Sequence, residues 1–236
     1  MGVLAAVTTG VLAWFGVPGR WAPAVAILRG AVQLGVISIV LTGVISDPLW
    51  VSVALAAMFL IATWVATGRT GWSRRAFAAV TSSMAAGVVA TTAVVFATGA
   101  LDLTSRYALA IGAIVMGNAM SVATLTGRLL TRAVSDHWDE VEGWLALGAT
   151  PRVSTRALAR RAVRDALVPA VDQTKMTGLV VLPGAFVGAI FGGISPLEAG
   201  RFQIVVLAAI MAAGAITSVL VALQLGPART KPVPAA

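Results

Sequence analysis

Phe202 to Leu225 reads FQIVVLAAIMAAGAITSVLVALQL, 24 residues without one charged side chain. As a helix it would be about 36 Å long, more than the ~30 Å hydrocarbon core of a bilayer. Working outward, comparable apolar runs occur at Ala24 to Val44, Leu49 to Thr67, Ala76 to Thr98, Tyr107 to Leu125 and Met176 to Ile194. A shorter run, Met1 to Phe15, has neither a basic flank nor a small-residue cleavage site, so a retained first helix is expected there. Residues 1–236 are therefore expected to form a single transmembrane domain: an all-α, polytopic integral membrane protein of about seven helices, six long and one short.

Composition agrees with lipid as the solvent, at 58% apolar residues and 11% charged ones. There are no cysteines, which removes disulfides and thiolate metal sites. The net charge of +8 has a topological explanation. Arg20, Arg69, Arg74, Arg75, Arg128, Arg132, Arg152, Arg156, Arg160, Arg161, Arg164, Arg229 and Lys231 fall in connections on one side of the expected spans, against Arg106 and Arg201 on the other. The positive-inside rule makes the richer side cytoplasmic, with the N-terminus outside and the tail, residues 226–236, inside a cell's plasma (inner) membrane. Arginines spread along one membrane side do not make a nucleic-acid-binding face. Boundaries carry local signals too: Ser195-Pro-Leu-Glu198 is a capping box opening the last span, and Asp47-Pro48 marks a tight outer turn.

The apolar pattern is interrupted by a charged segment, residues 127–169. Trp138, Val141 and Leu145 recur at helical spacing, with Asp136, Asp139, Glu140 and Glu142 on other faces, which predicts a short amphipathic acidic helix. Gly148 then allows a reversal, and Thr150-Pro151 supplies a cap and first turn for a second helix running toward Leu167. Arg152, Arg156, Arg160 and Arg164 form a basic stripe along it, either a solvated face or one suited to anionic headgroups or an acidic partner.

A glutamate six residues before a glycine, here Glu142 and Gly148, resembles the E-A-A-x-x-x-G loop of bacterial ABC importer permeases, although Gly143 and Trp144 depart from its two small residues. Further motifs are Gly117-Asn-Ala-Met120, Leu147-Gly-Ala-Thr-Pro151 and Ala166-Leu-Val-Pro169-Ala-Val-Asp172-Gln-Thr-Lys175, continuing to Pro183-Gly184. In that order and spacing, with Arg29 and Gln33, they resemble the Fet-type iron-export ABC permease family from about Arg29 to Leu223. That family is in turn similar to plant permeases linked to aluminium tolerance, for which a sugar nucleotide has been proposed as cargo. The resemblance implies a permease subunit working as a homodimer, with a metal cation as cargo and a separate ATPase binding ATP and Mg. Trp138, Val141, Glu142, Trp144, Leu145, Gly148 and Pro151 would couple to that ATPase. This chain itself carries no G-x-x-x-x-G-K-[ST] phosphate loop, so no cofactor is expected on it.

A charge inside lipid costs about 2.5 to 3.5 kcal/mol on insertion scales, which singles out Arg29, Asp172 and Lys175. With Gln33 they form either interhelical ion pairs, Arg29 joining Asp172, or a gate or cargo site. Asn118, with Met116, Met120 and Ser121, offers oxygen and thioether ligands mid-span, for packing or for a cation path. Pro183-Gly184 would break the sixth span. Gly184, Gly188 and Gly192 allow close helix approach, within the chain or in a moving, dimer-forming helix. His137, the only histidine, is read as a solvated loop residue, since a metal site would need companions. No nucleophile, base and orienter constellation points to an intramembrane enzyme. A non-transporting transducer would need larger outer loops than those near Asp47, Asp102 and Ser195. An ATP-independent carrier would leave the charged segment without a role.

Overall fold

The computed structural model describes residues 1–44 and 47–233, with side chains undescribed at 40–44; Ile45, Ser46 and the tail residues 234–236 of the expected 226–236 segment lie outside the described residues. Ten helices follow one another among the described residues, and the sole β feature is a bridge between Thr177 and Val181. The protein is an all-α polytopic membrane protein. It divides into two units, Met1–Val51 and Ser52–Ala236.

In the N-terminal unit, α1 (Gly2–Trp14) packs on α2 (Ala22–Val44). The 13 residues of α1 reach about 20 Å, short of a full crossing. Asp47 ends the unit's second connection by accepting a hydrogen bond from the Leu49 amide at 2.8 Å, the turn expected at Asp47-Pro48.

The second unit is organised around α10 (Pro196–Leu225), against which α4 (Arg74–Ala97), α5 (Ser105–Asp136), α8 (Arg156–Met176) and α9 (Gly184–Phe191) all pack. Close approach rests on small residues. A Cβ on Gly87 of α4 would meet Thr217 Oγ1 and would lie 2.8 Å from the Ala213 carbonyl oxygen of α10. Gly127 of α5 would similarly crowd Thr70 Cγ2 of α3 (Pro48–Thr70) at 2.6 Å. In lipid, where burial of apolar surface does not drive helix association, such contacts and interhelical hydrogen bonds do. At one end of the bundle Arg75 donates to the Gln224 carbonyl oxygen at 3.0 Å, and Gln224 Nε2 donates to Ser83 Oγ at 3.1 Å, clasping α4 to α10. At the other end the expected capping box forms: Ser195 Oγ accepts from the Glu198 amide at 3.3 Å and bonds the Glu198 carboxylate at 2.8 Å, with Pro196 in the first turn.

Five helices, α2, α3, α4, α5 and α10, are long and apolar enough to cross a bilayer. The expected sixth span, Met176 to Ile194, is not one helix. Helix α8 ends at Met176, residues Thr177 to Pro183 run irregularly through Gly178 at φ +82°, and α9 begins only at Gly184. Two elements oppose a continuous helix there: a left-handed glycine, and a proline that lacks an N–H and crowds the preceding turn. Instead, α8 runs antiparallel to α10. Its start adjoins Ala222 and Gly226, Leu167 meets Gly214, and Ala170 joins the cluster of Val206, Ala209 and Ile210. The expected span is thus replaced by the end of α8, an irregular stretch and the eight-residue α9.

Candidate functional site

The charged segment begins inside a spanning helix. Nothing between Tyr107 and Asp136 breaks a helix, so α5 runs for 32 residues, about 48 Å, and carries the segment's first residues as its own last turns. Leu130 and Val134 turn inward there, while Arg128, Arg132 and Asp136 face out. At His137 the backbone leaves the helix (φ −110°, ψ 33°), with the ring Nδ1 3.0 Å from the Ala133 carbonyl oxygen.

The acidic helix follows as α6 (Trp138–Ala146), with Asp139 and Glu140 in its first turn, where carboxylates favour the dipole. Its apolar face is turned into the bundle end. Val141 is fully buried, with Trp138 and Leu145 half-buried beside it, against Leu130, Val134, Leu158 and Ala222. Of the residues expected to couple, these three therefore seat the helix. The opposite face presents Glu142, Gly143 and Trp144 to the outside, and Leu147, 82% exposed, extends it. Gly148 ends α6 at φ +88°, in a Schellman arrangement: the Ala149 amide donates to Trp144 O and the Gly148 amide to Leu145 O, both at 3.0 Å. This is a position that disfavours any residue with a Cβ.

The reversal leads into Pro151, which heads a single turn, α7 (Pro151–Ser154). Thr150 stands at the cap position but its side chain makes no capping bond. The expected second helix is interrupted at Thr155, whose hydroxyl donates to the Pro151 carbonyl oxygen at 2.9 Å, and it then runs as α8 beyond Leu167 to Met176. Leu158, Ala162, Ala166 and Ala170 form its buried edge, leaving Arg156, Arg160, Arg161 and Arg164 outside.

The polar residues expected along the pathway separate into distinct environments. Arg29 and Gln33 lie on α2, exposed within the N-terminal unit. Asp172 and Lys175 lie near the end of α8, both well exposed, with Lys175 Nζ 3.9 Å from Asp172 Oδ1, the i, i+3 pairing. Asn118 sits inside the bundle. Its Oδ1 is buried without a hydrogen-bond partner, close to Gly214, and Met120 packs on the same core. Ser121, on the exposed side of α5, returns its hydroxyl to the Gly117 carbonyl oxygen at 3.0 Å. Pro183 caps α9, and a Cβ on Gly184 or Gly188 would meet nothing within 4 Å, so neither is a contact between helices of one chain. One residue was not singled out from the sequence: Gln203 of α10, buried, with Oε1 unpartnered. A lone amide in an apolar run was its only signal.

The pattern of the family described as "Uncharacterised protein family (UPF0014)" matches residues 1–228. The rice protein "UPF0014 membrane protein STAR2" (Oryza sativa subsp. japonica) is 37% identical over 83% of this chain and 69% of its own length. The Arabidopsis thaliana "Protein ALUMINUM SENSITIVE 3" is 35% identical over 81% of this chain and 71% of its own. The Escherichia coli K12 "Probable iron export permease protein FetB" is 30% identical over 81% of this chain and 75% of its own. No solved structure matches the chain.

Proposed function

Because the chain belongs to the UPF0014 family, we propose that it is the membrane permease subunit of an ATP-driven exporter, with a metal cation, iron in the first instance, as cargo. The single observation that carries this reading is α6: a short helix seated on the bundle end by Val141 and presenting Glu142, Trp144 and Leu147 outward. A separate ATPase would engage that face, and the reversal at Gly148 would pass its motion into α8, which reaches the core beside Asn118. The resemblance to a relative named as an iron export permease supports the cargo. Two copies per complex would supply the pair of permeases that an ATPase pair requires, and they would give the open glycines of α9 a neighbour. The arginine-rich end of the bundle would face the cytoplasm, setting the tail inside the inner membrane.

Asn118, Met120 and Gln203 are the groups proposed to meet a cation within the bundle, and Asp172 with Lys175, at the end of α8 before the break, the gate. A relative named for aluminium sensitivity favours a second cargo reading, another metal, and the family resemblance adds a sugar nucleotide. The test is ATP hydrolysis by this chain co-purified with its ATPase in lipid discs, titrated with Fe(II), Fe(III), Al(III), other divalent metals and a sugar nucleotide. Stimulation by iron is expected. Stimulation by the sugar nucleotide alone would keep the permease and replace the cargo.

A further inference from the structure

Where α8 starts and α10 ends, the two helices leave a groove of about 540 Å³ between them. One wall is basic: Arg152, Arg156 and Arg160, four residues apart, all line it. The other is apolar, with Val163 from α8 facing Val219 and Leu223 from α10. We propose that this groove binds an anionic phospholipid, its acyl chain along Val219 and Leu223 and its phosphodiester on the three guanidiniums.

Depth, charge and chemistry agree on that occupant. Val219 and Leu223 belong to the last turns of an apolar spanning helix, which ends at Leu225 before Gly226-Pro227. The groove therefore straddles the level where hydrocarbon gives way to headgroups, oily below and cationic above. Among the described residues the one ion pair is Asp172 with Lys175, so no carboxylate lies within 4.0 Å of Arg152, Arg156 or Arg160 to satisfy them. Guanidinium presents a planar donor fork matched to phosphate oxygens. A soluble phosphate would use the arginines and leave the apolar wall idle, whereas a phospholipid uses both. Arg161 and Arg164 carry the same charge on the same helix yet do not line the groove, so a general attraction of the bundle end for anionic membranes is separable from a site. The inference depends on neither the cargo nor the ATPase.

The chain has no cysteine, so a single Val219→Cys carries a bimane label at the groove wall alone. In lipid discs, quenching of that label by dibrominated phosphatidylglycerol is compared with quenching by dibrominated phosphatidylcholine. Phosphatidylglycerol should quench at the lower mole fraction. Arg156→Gln and Arg160→Gln should each raise the mole fraction needed by about fivefold, Arg161→Gln should leave it unchanged, and Arg156→Lys should recover part of the loss. Equal quenching by the two lipids, or an Arg161→Gln effect as large as that of Arg156→Gln, overturns the site. Displacement by soluble glycerol phosphate as readily as by phosphatidylglycerol would make it a phosphate site and overturn the lipid assignment.

Discussion

Two stretches of this molecule, Phe202 to Leu225 and Met176 to Ile194, are similar apolar runs in the sequence and opposite structures in the fold. From Phe202 to Leu225 a glycine at 214 sits inside the helix against Leu167, with no proline, and one helix results. From Met176 to Ile194 the run holds Gly178 in the left-handed region and Pro183 at a cap, and helix forms only from Gly184 to Phe191. Hydropathy measures how much apolar chain there is, and proline with left-handed glycine decides whether it stays continuous. Within the break the amides are met locally: Gly178 donates to the Val181 carbonyl oxygen at 2.9 Å, and Val180 and Val181 donate to that of Met176 at 3.0 and 3.1 Å. Packing differs in the same sense: a Cβ on Gly87 would strike α10, whereas one on Gly188 of α9 would meet nothing within 4 Å.

Equal substitutions in the two regions should therefore behave unequally. Gly87→Leu drives a side chain into Thr217 and the Ala213 carbonyl of α10, and it should cost about 3 kcal/mol or more, read as lost monodisperse protein or a lower thermal midpoint in detergent. Gly148→Ala should cost about 1 to 2 kcal/mol locally because of its φ of +88°. Gly148→Pro, which also removes the amide bonded to Leu145 O, should still insert in the membrane yet hydrolyse ATP without transport when assayed with its ATPase. Gln224→Leu dissolves the clasp to Ser83 and should lower stability by about 0.6 kcal/mol, a shift of about 1 to 2 °C in the same melt. Gly188→Leu on α9 enters open space and should change the melt of one chain by less than about 0.5 kcal/mol; if the proposed dimer forms through α9, native mass spectrometry should show its fraction reduced. A melt change for Gly188→Leu as large as that for Gly87→Leu would erase the distinction between the regions.

What was legible in the sequence was local. The capping box at Ser195, the turn at Asp47, the acidic helix from Trp138 and the reversal at Gly148 each depend on residues within one or two turns, and each forms. In the sixth apolar run, mean hydropathy over the whole stretch hides the two residues that decide its path. Pro183-Gly184 signals a break on its own, but α8 ends several residues earlier, at Met176 before the left-handed Gly178. The charged segment looked separate because charge changes at Arg128, although nothing there interrupts a helix and α5 continues to Asp136. The arginine groove and the clasp of Arg75, Ser83 and Gln224 join residues far apart in the chain, and no spacing rule reaches them. The faces of α6 show the same limit: spacing grouped Trp138, Val141 and Leu145 correctly, and only packing reveals that this face looks inward.

The most direct test of the account uses the absence of cysteine once more. Single cysteines at Trp144 and, as the buried control, at Val141 would be treated with a short bifunctional cross-linker in membranes that also hold the ATPase. A product joining Trp144→Cys to the ATPase is expected, its yield changing with ATP, and none from Val141→Cys. No cross-link from Trp144, Glu142 or Leu147 to any ATPase, in membranes where iron export proceeds, would contradict the assignment of α6 as the coupling element.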